Sequence, residues 1–238
     1  MKKIYLFLCW FFVHNLFKTI WFNFRVLPFS QAIYLPFDLY YKVRIEKLSG
    51  KIILNCKSLK RALIKIGGQG SDMFPRMDTV VHVEGVVMLN GCADIGHGSL
   101  IWVNKSGVLN IGEHVSLGAR SKIFCTKSIS IEDCVEISWE CQIFDTNFHC
   151  MENMNTHKII NPSGEVKIGK NTWICNNVTV GKGTTLPNFI TVASHSLCLD
   201  DYANLHPYTI IGGYPAKPLK SGMRRVFERF EKVRTVME

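Results

Sequence analysis

Aliphatic side chains recur at every sixth position through the central part of the chain. We call each position of this repeat a rung. The rungs fall into four ladders: Val83, Leu89, Ile95 and Ile101; Ile111, Leu117, Ile123 and Ile129; Ile131, Ile137, Ile143 and His149; and Ile168, Ile174, Val180, Leu186, Val192 and Cys198. Of these 18 rungs 17 are apolar, and the exception is His149. This histidine is therefore either a slip in a structural repeat or a functional residue.

A period of six fits neither the 3.6-residue period of an α-helix nor the two-residue alternation of a half-buried strand. It fits a parallel β-helix in which each coil has three flat faces and each face is one hexapeptide long. Glycine often follows the rung, as in Ile95-Gly96, and allows the chain to turn the corner. This pattern is typical of the left-handed form. The predicted fold class is all-β, a left-handed parallel β-helix.

The ends of the chain depart from this repeat and set the predicted boundaries. Residues 1–50 form an aromatic N-terminal segment, and residues 51–212 form the β-helix with a loop at 145–165. Residues 213–238 form a loop and an amphipathic helix. The apolar stripe of that helix consists of Leu219, Met223, Val226, Phe227, Phe230, Val233 and Met237. Their spacing of three and four predicts packing against the prism.

The N-terminal segment leaves three interpretations open. Two lysines precede the apolar run Ile4–Val13, but no small-residue cleavage site follows, and the run is too short to span a bilayer. The aromatic residues 1–25 fit a helix packed on the body or on a neighbouring subunit, a helix lying on a membrane surface, or an anchor. We expect a cytoplasmic protein, with peripheral contact at the inner face of the membrane as one of these alternatives.

The charge and the cysteine content limit the classes of partner and the kind of compartment that fit this chain. The net charge of +9 and the pI near 9.1 favour anionic partners. No nucleic-acid-binding motif is present, so no nucleic acid partner is expected. The nine cysteines include no C-x-x-C pair, and most lie among apolar residues. They are expected to be small buried thiols in a reducing compartment rather than a disulfide framework.

Three features together resemble the hexapeptide-repeat acyltransferases. The ladders resemble the prism of that family, "KIGKNTWICNNVTVGKGTTLPN" resembles its W-I-G coil, and "IIGGYPAKPLK" resembles its G-x-P-A-K loop. The resemblance covers roughly residues 80–222. It is nearest to galactoside and maltose acetyltransferases and to polysaccharide O-acetyltransferases. It implies a homotrimer with sites between adjacent prisms, acetyl-CoA as donor and a sugar or glycan acceptor. No metal is expected.

The resemblance also implies that His149 is the catalytic base, because "FDTNFH" stands where the family has D-x-x-F-H. An imidazole suits proton transfer at working pH. Asp145 and Asn147 precede it and are candidates for binding the acceptor. Asp145 either orients the imidazole, binds a sugar hydroxyl or is a turn residue with local hydrogen bonds.

The donor side is implied in the same way. Trp173 and Asn176 occupy the W-I-G-S positions, and Ser194 lies in the coil that lines the pantetheine arm. Lys217 and Lys220 stand where the family has cations near the CoA phosphates. Trp173 is equally well explained as a packing residue between prisms.

The chain departs from the family at four positions. Cys175 replaces the usual glycine, Leu199 and Asp200 replace a threonine–lysine pair, and a family asparagine falls on Gly118. These departures concern the substrate contacts rather than the class of donor.

Two further readings remain open. A non-catalytic trimeric β-helix scaffold would need neither the loop histidine nor the G-x-P-A-K ending. An acetyltransferase for an amino sugar, an antibiotic or serine would need both. A zinc site made of His149 and His157 is the weakest alternative.

Overall fold

The computed structural model describes residues 14–56, 58–68 and 74–226. Three parallel sheets form the three faces of a prism, and successive strands lie on successive faces. Strands three apart in the chain therefore become neighbours in the same sheet. This connectivity is that of a parallel β-helix with three faces per coil.

Each face of the prism is one sheet, in which every strand pairs with the next strand of the series. Face 1 contains β1 (Phe37–Leu39), β4 (Ile64–Ile66), β7 (Ala93–Ile95), β10 (Val115–Leu117), β13 (Glu136–Ile137), β18 (Trp173–Ile174), β21 (Thr191–Val192), β23 (Ile210–Gly212) and β24 (Lys217–Lys220). Face 2 contains β2 (Val43–Leu48), β5 (Thr79–Val83), β8 (Leu100–Val103), β11 (Lys122–Cys125), β14 (Gln142–Phe144), β19 (Thr179–Val180) and β22 (Leu197–Cys198). Face 3 contains β3 (Lys51–Leu54), β6 (Val86–Leu89), β9 (Val108–Ile111), β12 (Ser128–Ile131), β17 (Val166–Ile168) and β20 (Thr185–Leu186).

The apolar rungs fill the interior of the prism, as predicted. All 17 are buried, and the most exposed of them, Ile95, is 6% exposed. Rungs of successive coils pair directly, since Ile123 aligns with Ile101 on one side and with Ile143 on the other. The interior is therefore a stack of aliphatic layers with the spacing of hydrogen-bonded strands, about 4.8 Å.

Two short helices close the N-terminal end of the prism. They are α1 (Leu16–Val26) and α2 (Phe29–Ala32). Asn15 caps α1, because its side chain accepts a hydrogen bond from the backbone N–H of Lys18 at 3.0 Å. Phe22 is fully buried and contacts the Phe37 ring edge to face, with ring centroids 5.1 Å apart. This ring covers the open end of the aliphatic stack.

The sheets begin earlier than the predicted boundary at residue 51. Strand β1 pairs with β4, and β2 pairs with β5, both in parallel. The early strands were missed because prolines and aromatic residues interrupt the six-residue repeat there. The first 13 residues, which carry the apolar run, lie outside the described residues.

The predicted C-terminal helix is wrong at its start. Residues 217–220 form β24, which pairs antiparallel with β23, and Leu219 is 63% exposed in that strand. No helix is assigned between Met223 and Val226. The backbone of β23 would otherwise be an unpaired sheet edge, and β24 supplies its hydrogen bonds. The rest of the predicted helix, residues 227–238, lies outside the described residues.

Candidate active site

The loop that carries His149 leaves the prism at the corner between faces 2 and 3. It follows β14, contains the antiparallel hairpin β15 (Met151–Asn153) and β16 (Lys158–Ile160), and returns to β17. His149 is exposed, and its backbone N–H donates to the carbonyl of Asn147 at 2.8 Å. Its ring makes no hydrogen bond with any residue that the structure describes. Both ring nitrogens are thus available to a substrate.

Phe148 fixes the base of this loop. Its φ of 64° lies in the left-handed region, which is unfavourable for an aromatic residue and is held here by its contacts. Its ring packs edge to face on Phe124 and Phe144, at centroid distances of 4.9 and 6.1 Å. The Thr146 hydroxyl accepts a hydrogen bond from the Phe148 N–H at 3.0 Å. The residue before His149 is therefore anchored to face 2.

Asp145 makes the local backbone hydrogen bonds of its turn-residue alternative, and no described hydrogen bond joins its carboxylate to the His149 ring. The residue is fully buried. Its carboxylate accepts backbone hydrogen bonds from Thr126 at 2.8 Å, Lys127 at 2.6 Å and Ser128 at 2.8 Å. The Thr126 hydroxyl donates a further bond at 2.8 Å. Asp145 is thus a turn residue whose hydrogen bonds extend beyond its own turn and join the start of the loop to the neighbouring coil.

Asn147 lies two residues before His149 on the same loop. Its side chain is exposed, and its backbone N–H donates to the Pro162 carbonyl at 2.8 Å. This bond joins the outgoing and returning arms of the loop. The amide side chain is therefore presented to solvent on the same loop as the imidazole.

The predicted donor-side residues lie elsewhere, on face 1 and at its corner with face 2. The Ser194 hydroxyl donates to the Asn176 side-chain carbonyl at 2.8 Å, so these two residues are brought together. Trp173 lies on face 1 and donates from its indole nitrogen to the Ser138 hydroxyl at 3.4 Å. The structure therefore groups the three residues of the W-I-G-S and pantetheine positions on one side of the prism.

Lys217 and Lys220 lie on β24 at the end of face 1. Both side chains are exposed, and neither forms an ion pair with a described residue. Two unpaired cations on one strand next to Ser194's coil form a site that can take up phosphate groups.

A cavity of about 390 Å³ opens on face 1 beside Trp173. Its lining is Ser116, Leu117, Gly118, Ala119, Glu136, Ile137, Ser138, Trp139, Trp173 and Arg225. The Arg225 guanidinium lies 4.7 Å from the centroid of the Trp173 ring and pairs with the Glu136 carboxylate. Arg225 was missed in the sequence, because only the folded chain brings it from the C-terminal segment to face 1.

The structure gives a physical reason for the glycine at position 118 and shows the environment of the cysteine at position 175. A Cβ at Gly118 would lie 2.5 Å from the Ser138 backbone carbon, so an asparagine cannot occupy that position without moving the next coil. Burial raises the pKa of the Cys175 thiol, with a smaller opposing effect from Ser194. The thiol therefore stays protonated and is a poor nucleophile.

One chain does not bring His149 and the donor-side residues together. The loop of His149 rises from the corner between faces 2 and 3, whereas Asn176 and Ser194 lie at the corner between faces 1 and 2. A face of six extended residues separates these corners by about 20 Å. A site that uses both sets needs a second copy of the chain.

No protein-family model and no curated protein matches the sequence. Among solved structures, the chain is similar to the polysialic-acid-specific acetyltransferase NeuO, with 16% identity, 81% of this chain and 85% of that chain covered, and a TM-score of 0.60. The polysialic acid O-acetyltransferase OatWY matches at 18% identity over 82% and 94% of the two chains, with a TM-score of 0.44.

A hexapeptide-repeat acetyltransferase from Vibrio cholerae O1 biovar eltor, complexed with acetyl coenzyme A, matches at 16% identity over 86% and 83%, with a TM-score of 0.39. Of these three matches, only that to NeuO exceeds a TM-score of 0.5, and at this identity it bears on the fold alone. The predicted left-handed parallel β-helix is confirmed.

The described residues contain no group of three or more His, Cys, Asp or Glu side chains that could hold a metal ion. Among the described helices, none is both long and apolar enough to cross a membrane.

Proposed function

We propose that the protein is an acetyl-CoA-dependent O-acetyltransferase that acts on a sugar hydroxyl of a surface polysaccharide or its precursor. We further propose that it works as a homotrimer in the cytoplasm. The observation that carries this proposal is the polar rung: His149 is exposed, with both ring nitrogens available, on a loop base that Asp145 and Phe148 hold rigid. A catalytic base must be presented in this way to select one hydroxyl.

Apart from this base, the acetyl-transfer reaction requires few groups from the chain. The bound acetyl-CoA supplies an acetyl group activated as a thioester. His149 takes the proton from the acceptor hydroxyl while that oxygen attacks the acetyl carbon, and the C–S bond breaks. The imidazolium then gives its proton to the leaving thiolate, so the base is restored for the next cycle. Asn147, which is exposed on the same loop, would donate a hydrogen bond to the acceptor sugar.

The residues on face 1 fit the donor. Lys217 and Lys220 would bind the CoA phosphates, and Asn176 and Ser194 would bind the amide groups of the pantetheine arm. Trp173 supplies a flat apolar wall to the cavity of about 390 Å³. The ring is partly covered by Arg225, so the donor would contact its remaining surface.

The shared site can be tested by complementation between two inactive chains. One carries His149→Ala and the other Ser194→Trp, whose bulk would block the donor groove from an exposed position. In mixed trimers, a site that takes His149 from one chain and Ser194 from its neighbour is intact. Random mixing should then restore about a quarter of the wild-type activity. Absence of any restoration, with mixed trimers present, would rule out a shared site.

The acceptor class can be tested with polysaccharide, amino sugar, antibiotic and serine acceptors in the presence of acetyl-CoA. The fold shared with a polysialic-acid-specific acetyltransferase is the reason for testing glycans first. We expect release of the CoA thiol and an acetyl ester on the glycan that mild base removes. A base-stable amide would identify an amine acceptor instead. No thiol release with any acceptor would favour the non-catalytic scaffold.

A further inference from the structure

Helix α1 packs on the prism with two of its polar side chains, Thr19 and Asn23, turned inward beside Phe22. Thr19 is 5% exposed and Asn23 is fully buried. The Asn23 side chain donates to the Phe37 carbonyl at 2.8 Å and accepts from the Phe37 N–H at 3.0 Å. The Thr19 hydroxyl accepts from the Leu39 N–H at 2.9 Å. These bonds satisfy the backbone of β1, the edge strand of face 1.

The opposite side of α1 is apolar and exposed. Its residues continue into α2 and the turn after it, and together they form a surface that we call the apolar end surface. Their exposed fractions are 80% for Phe17, 40% for Ile20, 50% for Trp21, 46% for Phe24, 73% for Phe29 and 51% for Ile33. A helix of a soluble domain normally turns such residues inward. Exposed apolar patches of this kind mark a contact with a partner or a membrane.

The described charged side chains of α1 are both basic, Lys18 and Arg25. In the sequence, no acidic residue precedes Asp38. A cavity of about 300 Å³ lies beside the end of α1 and is lined by Arg25, Lys51 and apolar side chains that include Ile53. One N–H of Arg25 donates to the Leu48 carbonyl at 3.3 Å, which leaves its other donors for an anion.

These features favour one occupant over the others. Two copies of the apolar end surface would bring like charges together, so self-association through it is opposed. Tryptophan and phenylalanine next to lysine and arginine are the residues that bind the interface of an anionic bilayer. The apolar run Ile4–Val13 directly precedes α1 in the sequence and adds to the same character.

We propose that the apolar end surface docks on a membrane that contains anionic phospholipid. Arg25 and Lys51 bind a lipid phosphate in the adjacent cavity, and the exposed aromatic rings enter the interface between headgroups and acyl chains. This places the N-terminal end of the prism at the inner face of the membrane. The proposal is independent of the reaction that His149 performs.

The test uses the full chain and sedimentation with vesicles of phosphatidylcholine, with or without phosphatidylglycerol. We expect binding to the anionic vesicles that weakens as salt is added. Phe17→Ser and Phe29→Ser should each lower the partition coefficient about tenfold, since each removes an exposed ring that would be buried in lipid. Met154→Ser is the matched control, because Met154 is also 73% exposed but lies on the loop hairpin.

Two further variants separate the parts of the proposal. Arg25→Gln together with Lys51→Gln should reduce binding to anionic vesicles and flatten its salt dependence. Trp21→Phe should remove a blue shift of tryptophan emission that vesicles produce in the wild type. Equal binding to neutral and anionic vesicles, or unchanged binding of the Phe17 and Phe29 variants, would overturn the proposal. A change of oligomeric state in those variants by light scattering would assign the surface to a second copy.

Discussion

Ile123 and His149 both stand at rungs of the six-residue repeat, yet they lie in opposite environments. Ile123 is 1% exposed and aligns with the aliphatic rungs of the coils on both sides. His149 is exposed at the start of an excursion that leaves the prism. The same position of the repeat thus serves packing in one coil and presents an exposed imidazole in another.

The difference follows from what surrounds each residue. An interior rung loses its contact with water on all sides, so it tolerates only apolar side chains. The corner loop is joined to the prism by the buried Asp145 carboxylate and the Phe148 ring, and beyond these anchors it is exposed. Prism stability and catalysis should therefore respond to different substitutions, and four predictions test this separation.

The largest expected effect is at an interior rung. Ile123→Asp buries a carboxylate without a partner and should cost more than about 5 kcal/mol, enough to unfold the chain. Lys122→Asp is the matched control, because Lys122 is the exposed neighbour on the same strand. Circular dichroism during thermal unfolding should show a folded control and no cooperative transition for the rung variant. A rung variant that melts like the wild type would contradict the inward orientation of Ile123.

The next effect is on the reaction alone. His149→Ala and His149→Asn should lower kcat by about 10²–10⁴, because the acceptor hydroxyl loses its base. The melting temperature should stay unchanged, since the ring is exposed and has no described hydrogen bond. Release of the CoA thiol with a sugar acceptor measures kcat for the wild type and both variants.

His157→Ala is the control for this prediction. His157 lies in the same loop and is exposed, with its Nδ1 2.9 Å from a carboxylate oxygen of Glu152. We expect its activity to match that of the wild type. If instead His157→Ala abolishes activity and His149→Ala does not, the base is on the hairpin and the polar rung is structural.

The prism could be predicted from sequence because its pattern is local and repeated. Every sixth residue is apolar and points inward, and the chain turns a corner next to that residue. Its ends were harder. Strands β1 and β2 lack the repeat. Leu219 begins a helix-like spacing of apolar residues, but it lies in β24, which pairs with the open edge of β23. Pairing with a sheet edge is a property of the folded chain, and a periodicity count does not detect it.

The candidate site likewise contains some residues that the sequence could indicate and others that it could not. His149 was visible as the one polar rung, and Ser194 and Asn176 do contact each other. Asp145 was ambiguous, because a carboxylate next to a histidine looks catalytic until its partners on the neighbouring coil are known. Arg225 reaches Trp173 from the distant C-terminal segment, and no local pattern indicates such a contact.

The comparison of buried and exposed rungs extends to Cys198. Apart from His149, it is the one rung whose side chain can ionise. Burial, followed by the nearby Asp200, raises the pKa of Cys198 from 9.0 to about 12. The raised pKa adds to the free energy of unfolding. This contribution is complete below the ordinary pKa of the thiol and is lost as the pH rises toward its pKa in the folded state. From about pH 8 to about pH 10, the wild type should lose ~1.4 kcal/mol more free energy of unfolding than Cys198→Ala.

Urea unfolding at a fixed protein concentration measures this difference. Cys150→Ala is the control, because Cys150 is exposed and should leave the pH dependence of the wild type unchanged. Parallel pH profiles for the wild type and Cys198→Ala would mean that the thiol is not desolvated, and that this rung is less well packed than its neighbours.

The smallest expected effect is at the other excursion from the prism, where β24 carries Lys217 and Lys220. Replacing both with alanine should raise the KM for acetyl-CoA about five- to tenfold and leave kcat nearly unchanged, because contacts to the CoA phosphates act equally before and during the reaction. Lys105→Ala with Lys122→Ala removes the same charge from exposed positions on other parts of the prism. That control pair should leave the donor KM unchanged, so a KM increase shared by both pairs would reflect net charge rather than a phosphate site on β24.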